Sequence, residues 1–163
     1  MKAILALVFG IALAPGAFAA EFRPFPGATL NEQLTEEVAA ELAKARPSAQ
    51  LLYGKPTIYT TTAPFDAVLT FYKKLGAREF IVPTPFTTGP HEETVPSKII
   101  VGAPPGGVKF NKAILVFDDA PEPFKSNCWV EISHPVAGKL VGKKIDDIEQ
   151  VTGITYVNKQ PLP

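Results

Sequence analysis

The chain has 163 residues, with 16 Lys plus Arg against 16 Asp plus Glu, and one cysteine. This charge balance gives no electrostatic basis for binding nucleic acid or an anionic membrane, because both select basic surfaces. A single cysteine excludes an intramolecular disulfide, and the length fits one domain with a sizeable core.

The N-terminus has the pattern of a secretory signal peptide. Lys2 supplies a positive charge, residues 3–13 are an apolar run, and residues 17–19 have the Ala-Phe-Ala pattern that a signal peptidase reads. The apolar run is too short to span a membrane as a helix. We therefore expect cleavage after residue 19 or 20, export to a periplasmic or secreted location, no membrane span after cleavage, and a single domain over residues 21–163. A retained anchor is the alternative.

The first predicted element of the mature chain is a helix from about Leu30 to Ala45. Its apolar residues recur at every fourth position, at Leu30, Leu34, Val38 and Leu42. Thr29 and Glu32 have the spacing of a capping box, and Pro47 is expected to end the helix. The charged side predicts a solvated face.

The stretch Tyr53–Gly76 predicts a strand followed by a helix. Residues 57–62 are rich in β-forming side chains, Thr62 can cap the helix, and Pro64 suits its first turn. An apolar stripe then follows at helical spacing, formed by Phe65, Val68, Leu69, Tyr72 and Leu75. The stripe predicts that this helix packs against a sheet.

Short strands are predicted after Gly76, at residues 80–82, 98–101, 113–117, 129–133 and 154–157. Residues 113–117 are apolar throughout, which is typical of a central strand covered on both faces. Residues 83–96 contain four prolines and are interpreted as a mobile flap.

The predicted fold class is α+β, with an antiparallel sheet of about five strands and two main helices packed on one face. The second helix is expected to dock on four strand residues, Ile114, Val116, Val130 and Ile132. A parallel βαβ unit around Phe65 is the alternative.

Motifs for metal or nucleotide binding are incomplete. His91-Glu92-Glu93 begins like a zincin helix, but Val95 replaces the second histidine. Gly102 and Gly107 have the spacing of a phosphate-binding loop, yet Val108 stands where a lysine is required. No metal site, cofactor or catalytic residue is therefore predicted.

Two function classes remain open. The favoured one is a non-catalytic exported module that binds a small ligand, an envelope component or a partner protein. Its candidate ligand-binding residues are Tyr53, Tyr59, Trp129, Glu131, His134 and Asp118, of which the aromatic residues and Glu131 are expected to share the outer sheet face. The alternative is a hydrolase that uses His134 with Asp118 or Asp119 and a nearby serine, although no serine lies in a G-x-S-x-G elbow.

Several segments together resemble a group of small exported bacterial proteins of uncharacterised function, in which a threonine-rich strand leads into a helix with an FYK-type motif. These segments are PGA (26–28), IYTT (58–61), FDAVLTFYKKLG (65–76), ILVFDDA (114–120), SNCWVEISHP (126–135) and VTGITYV (151–157). The likeness spans nearly the whole mature chain and implies a bacterial periplasmic or secreted protein. It implies no catalytic or binding residues.

Overall fold

A computed structural model describes residues 21–45, 54–79, 89–118, 126–136, 138 and 140–159 of the chain. The predicted signal peptide, the predicted strand at residues 80–82, and the site candidates Tyr53 and Asp119 lie outside these residues. The elements in chain order are β1 (Thr29–Leu30), α1 (Glu32–Ala45), β2 (Lys55–Thr61), α2 (Phe65–Lys74), β3 (Arg78–Glu79), β4 (His91–Val95), β5 (Val108–Val116), β6 (Cys128–His134), a 3-10 turn (Ile145–Asp147) and β7 (Thr152–Asn158). None of the helices in this part of the chain is long and apolar enough to cross a membrane.

The strands form one antiparallel sheet in the order β1-β2-β7-β6-β5, and β3 and β4 pair with different halves of the far side of β5. This arrangement confirms the α+β class with an antiparallel sheet. The described sheet has seven strands, because two-residue pairings at β1 and β3 and the polar strand β4 add to the predicted set. The parallel βαβ alternative is wrong, since β2 pairs antiparallel with β7.

Two predictions for the segments after Gly76 are wrong, because strand pairing decides these segments more than their local composition does. Residues 91–95, assigned to the mobile flap, pair with β5 along their whole length. Residues 98–101, predicted as a strand, form turns with a single bridge from Val101 to Lys144. The proline-rich segment is therefore anchored to the sheet over its described C-terminal part.

α2 covers one face of the sheet through its predicted apolar stripe. Its buried residues are Phe65, Val68, Leu69 and Tyr72. They pack on Ala113, Leu115, Val130, Ile132 and Ile154. The expected contacts with Ile114 and Val116 are wrong, because a strand that is apolar throughout gives no sign of which alternate set faces the helix. Thr62 does not cap α2, since no side chain bonds its first turn.

α1 covers the opposite face, which we call the α1 face. Adjacent residues of a strand point to opposite sides of a sheet. Ile58 packs against Leu34 and Val38 of α1, whereas Tyr59 packs with the cluster beneath α2. The expectation that both helices lie on one face is therefore wrong, because Ile58 of β2 carries an apolar side chain on the opposite face and α1 buries it there. Asn31 caps α1 in place of the predicted Thr29. Its side-chain oxygen accepts a hydrogen bond from the backbone amide of Leu34 at 2.9 Å.

The segment before β1 completes the α2 face with aromatic rings. Phe22 stacks on Tyr156 at a ring-centroid distance of 3.7 Å and on Tyr72 at 5.7 Å, both nearly parallel. Phe117 packs edge-on against the Phe22 ring, with 6.1 Å between the two ring centroids. Burial in this cluster raises the pKa of both Tyr72 and Tyr156. The segment is thus part of the core.

Candidate functional site

One end of the α2 face is polar, although the rest of that face is apolar. Five neighbouring strands each place one polar side chain there, and together we call these side chains the polar row: Thr61, Thr152, His134, Asn111 and Glu92. The strand register sets Thr61 opposite Thr152, Asn111 opposite His134, and Glu92 opposite Asn111. A side-chain contact of 3.3 Å between His134 and Thr152 joins the two halves.

A groove of about 640 Å³ lies between the polar row and the first turn of α2. Both histidines of the chain line it, together with Phe65 and Asp66 of α2, Glu92 of β4 and Asn111 of β5. The volume falls within the range of small-molecule sites. We refer to this space as the groove.

The hydrogen bonds of Thr152 fix the tautomer of His134. The Thr152 hydroxyl is fully buried and donates its proton to the backbone carbonyl of Ala63 at 2.7 Å. Because that proton is already used, the contact between His134 Nδ1 and Thr152 Oγ1 requires Nδ1 to be the donor. The neutral imidazole therefore carries its proton on Nδ1 and has an unprotonated Nε2.

His91 has the same tautomer for a simpler reason. Its Nδ1 lies 2.7 Å from the backbone carbonyl of Gly89, and a carbonyl oxygen can only accept. Nδ1 therefore donates, and Nε2 carries a lone pair. His91 pairs with Lys112, so strand alternation directs its ring, like that lysine, to the α1 face. His134 therefore supplies the imidazole acceptor of the groove.

Two carboxylates add negative charge to the groove. Asp66 is exposed in the first turn of α2, where the helix dipole favours an anion. Glu92 pairs with Lys109 at 2.8 Å, and both side chains are exposed. In the part of the chain that the structure describes, no three His, Cys, Asp or Glu side chains are grouped so that they could hold a metal ion.

The charges on the α1 face form a separate network. Lys112 lies 2.9 Å from Glu93 and 3.8 Å from Glu131. Burial alone would lower the pKa of Lys112, but Glu131 and Glu93 together raise it above its ordinary value. Strand alternation directs this lysine away from the groove, because its neighbour Asn111 belongs to the polar row.

The predicted aromatic surface does not form. Tyr59 is in register with Ile154 and so lies on the α2 face, whereas Trp129 and Glu131 lie on the α1 face. The Lys159 ammonium sits over the Trp129 ring, 5.2 Å from its centroid. The expectation that these residues share one face is therefore wrong. The sequence of β2 alone does not show which of its two faces is the same as that of Trp129 in β6, because that depends on how both strands pair with β7.

The geometry also separates the residues of the hydrolase alternative. Asp118 follows the end of β5 and accepts a hydrogen bond from the Asn127 amide at 2.6 Å, whereas His134 ends β6 beside Asn111. Asn127 directly precedes the seven-residue strand β6, which ends at His134, and this length puts the two groups roughly 20 Å apart. Asp118 is therefore no partner for His134, and Asp119 lies outside the described residues.

Of the predicted ligand-binding candidates that the structure describes, His134 alone lies in the groove. Thr152, Asn111, Glu92 and Asp66 were not identified from the sequence, because their proximity depends on strand register and on the docking of α2. Single polar residues at the ends of strands are otherwise typical of turns.

Comparison with models of protein families, with curated proteins and with solved structures found no match for this chain. Its function is therefore inferred from the geometry of the groove and from the sequence.

Proposed function

We propose that this protein is an exported, non-catalytic binding module whose ligand is a small molecule held in the groove. One observation carries the proposal: the polar row ends an otherwise apolar face, and three of its members, His134, Asn111 and Glu92, line a space of small-molecule size. The N-terminal signal pattern supports export.

The groove is built on regular elements, which favours tight and specific binding. His134 is oriented by a buried threonine, Asn111 lies within β5, and Asp66 lies on a helix packed on the sheet. Side chains held in this way lose little conformational freedom when a ligand binds.

The lining of the groove favours binding over hydrolysis. No Ser, Cys or Lys side chain is among the described residues that line it. Ser133 is buried and, next to His134 in β6, points to the α1 face. Cys128 lies at the other end of the same strand. His134 therefore has no serine or cysteine nucleophile beside it in this part of the chain.

The size of the site favours a small molecule, or a protruding group of an envelope component, over a protein partner. A stable protein interface buries about 800 Å² on each side, usually over a broad surface. The groove is instead a local concavity between one helix end and one sheet end.

NMR titration of the mature chain with a small-molecule library tests the proposal. The library contains monosaccharides, amino acids, polyamines and dicarboxylates, and backbone amide shifts are followed. We expect at least one compound to give saturable shifts centred on Asp66, Glu92, Asn111 and His134. The variant His134→Ala should weaken that binding, whereas Glu36→Ala, an exposed change on α1, should leave it unchanged. Saturable shifts confined to other surfaces, or none at all, reject the proposal.

A further inference from the structure

Hydrogen-bond acceptors dominate the groove. The Nε2 atom of His134 is an acceptor in the neutral imidazole, because its Nδ1 donates to Thr152. The carboxylates of Asp66 and Glu92 can only accept when ionised. Asn111 adds an amide that can accept through its oxygen. A ligand that matches this lining must therefore supply donors.

The acceptors are distributed along the groove and do not converge on one point. The described residues contain no group of three His, Cys, Asp or Glu side chains suited to one metal ion. The acceptors come from α2, from β4 and from the ends of β5 and β6. A ligand that satisfies them needs several donor groups separated by a molecular framework.

The charges that face the groove disfavour an anion. Asp66 from α2 and Glu92 from β4 are negative, and the imidazole of His134 lies in the same lining. Lys109 pairs with Glu92 and reduces its charge in part. The positive end of the α2 dipole already has Asp66 in its first turn.

We infer that the ligand is a compact molecule with several hydroxyl or ammonium donors, such as a small polyol or an amino sugar; this inference rests on the proposed function. Its donors pair with His134 Nε2 and with the carboxylates of Asp66 and Glu92. Its C–H surface packs on Phe65 and Pro90, which line the same space.

Three probes separate donor ligands from anionic ones in NMR titrations of the mature chain: glucosamine with hydroxyl and ammonium donors, glucose with hydroxyl donors, and sulfate with acceptors only. We expect shifts at Asn111 and His134 with glucosamine, weaker ones with glucose, and none with sulfate. His134→Ala should weaken glucosamine binding about fivefold, and His134→Gln, which retains a side-chain acceptor, should recover part of the loss.

Each contrary result has a separate meaning. Sulfate binding that exceeds glucosamine binding overturns the donor class but leaves the groove as a binding site. Failure of glucosamine to give saturable shifts also overturns the donor class, and the wider library then decides whether the proposed function fails as well. Unchanged amide shifts outside the groove in His134→Ala show that the variant is folded.

Discussion

Replacing Thr152 by valine should release His134 from its single tautomer. Valine keeps the branched shape of threonine and removes the hydroxyl, which both donates to Ala63 at 2.7 Å and accepts from His134 at 3.3 Å. With no hydroxyl at this position, nothing requires His134 Nδ1 to hold the proton. The imidazole should then become a mixture of tautomers.

The expected loss of stability follows from the two hydrogen bonds. Each contributes about 1 kcal/mol net, so Thr152→Val should lower the free energy of unfolding by about 2 kcal/mol. For a domain of this size that corresponds to a fall in Tm of about 7 °C. Thr152 is fully buried, so water cannot easily replace the lost partner.

Imidazole ¹⁵N spectra and urea unfolding measure the two effects. Wild-type His134 should show a protonated Nδ1 and an unprotonated Nε2 at neutral to alkaline pH. The control is Thr155→Val, on the same strand but on the α1 face, which should change neither the tautomer nor the stability by more than about 0.5 kcal/mol. A wild-type proton on Nε2, or a tautomer unaffected by Thr152→Val, would refute the reasoning and remove the basis for the donor class of ligand.

Three further predictions concern the core and the charge network. Phe22→Ala should destabilise the mature chain by about 2 kcal/mol in urea unfolding, because the half-buried ring stacks on Tyr156. Cys128 should react slowly with iodoacetamide until the chain unfolds, since burial raises the pKa of its thiol and thiolate is the reactive form. Lys112→Met should cost about 1 kcal/mol near neutral pH through its lost pair with Glu131. This lysine has a folded-state pKa above its unfolded value, so the difference from wild type should persist below about pH 10 and shrink as the pH rises further.

Matched controls keep these predictions specific. Arg23→Ala, an exposed change beside Phe22, should be nearly neutral, and equal losses for the two variants would contradict the aromatic stacking. Lys74→Met, at an exposed lysine of α2, should show no comparable pH dependence. For Cys128, equal alkylation rates in folded and urea-unfolded protein would show that the thiol is accessible. For Lys112, a stability difference that grows above pH 10 would reverse the assigned sign.

Local signals in the sequence were sufficient for α2 but not for the sheet. The apolar stripe from Phe65 and the C-terminal Gly76, which has φ 91°, predicted that helix and the side it buries. Strand facing in β5 was not predictable, because every residue from Ala113 to Phe117 is apolar. β4 has a polar sequence between prolines, and it forms a strand because β5 supplies a partner. The facing of β5 and the formation of β4 therefore depend on pairing between segments that are distant in the sequence.

The candidate site shows the same limit more strongly. His134 was identified from its chemistry, but its orienting partner Thr152 is 18 residues away and reaches it through the pairing of β6 and β7. Asn111 and Glu92 join through two further pairings. A polar row across a sheet is a property of register, and no single segment of the sequence contains it.

The edges of the sheet have a consequence for behaviour at high concentration. On the outer side of β2, the Ile58 carbonyl accepts from the Asn31 amide at 2.8 Å and the Ile58 amide donates to Thr35 Oγ1 at 2.9 Å. At the other edge, β4 carries Glu92 and Glu93 and is flanked by prolines. Occupied backbone groups and like charges both oppose the addition of a strand from another chain. Over its described strands, the sheet is therefore protected against edge-to-edge aggregation.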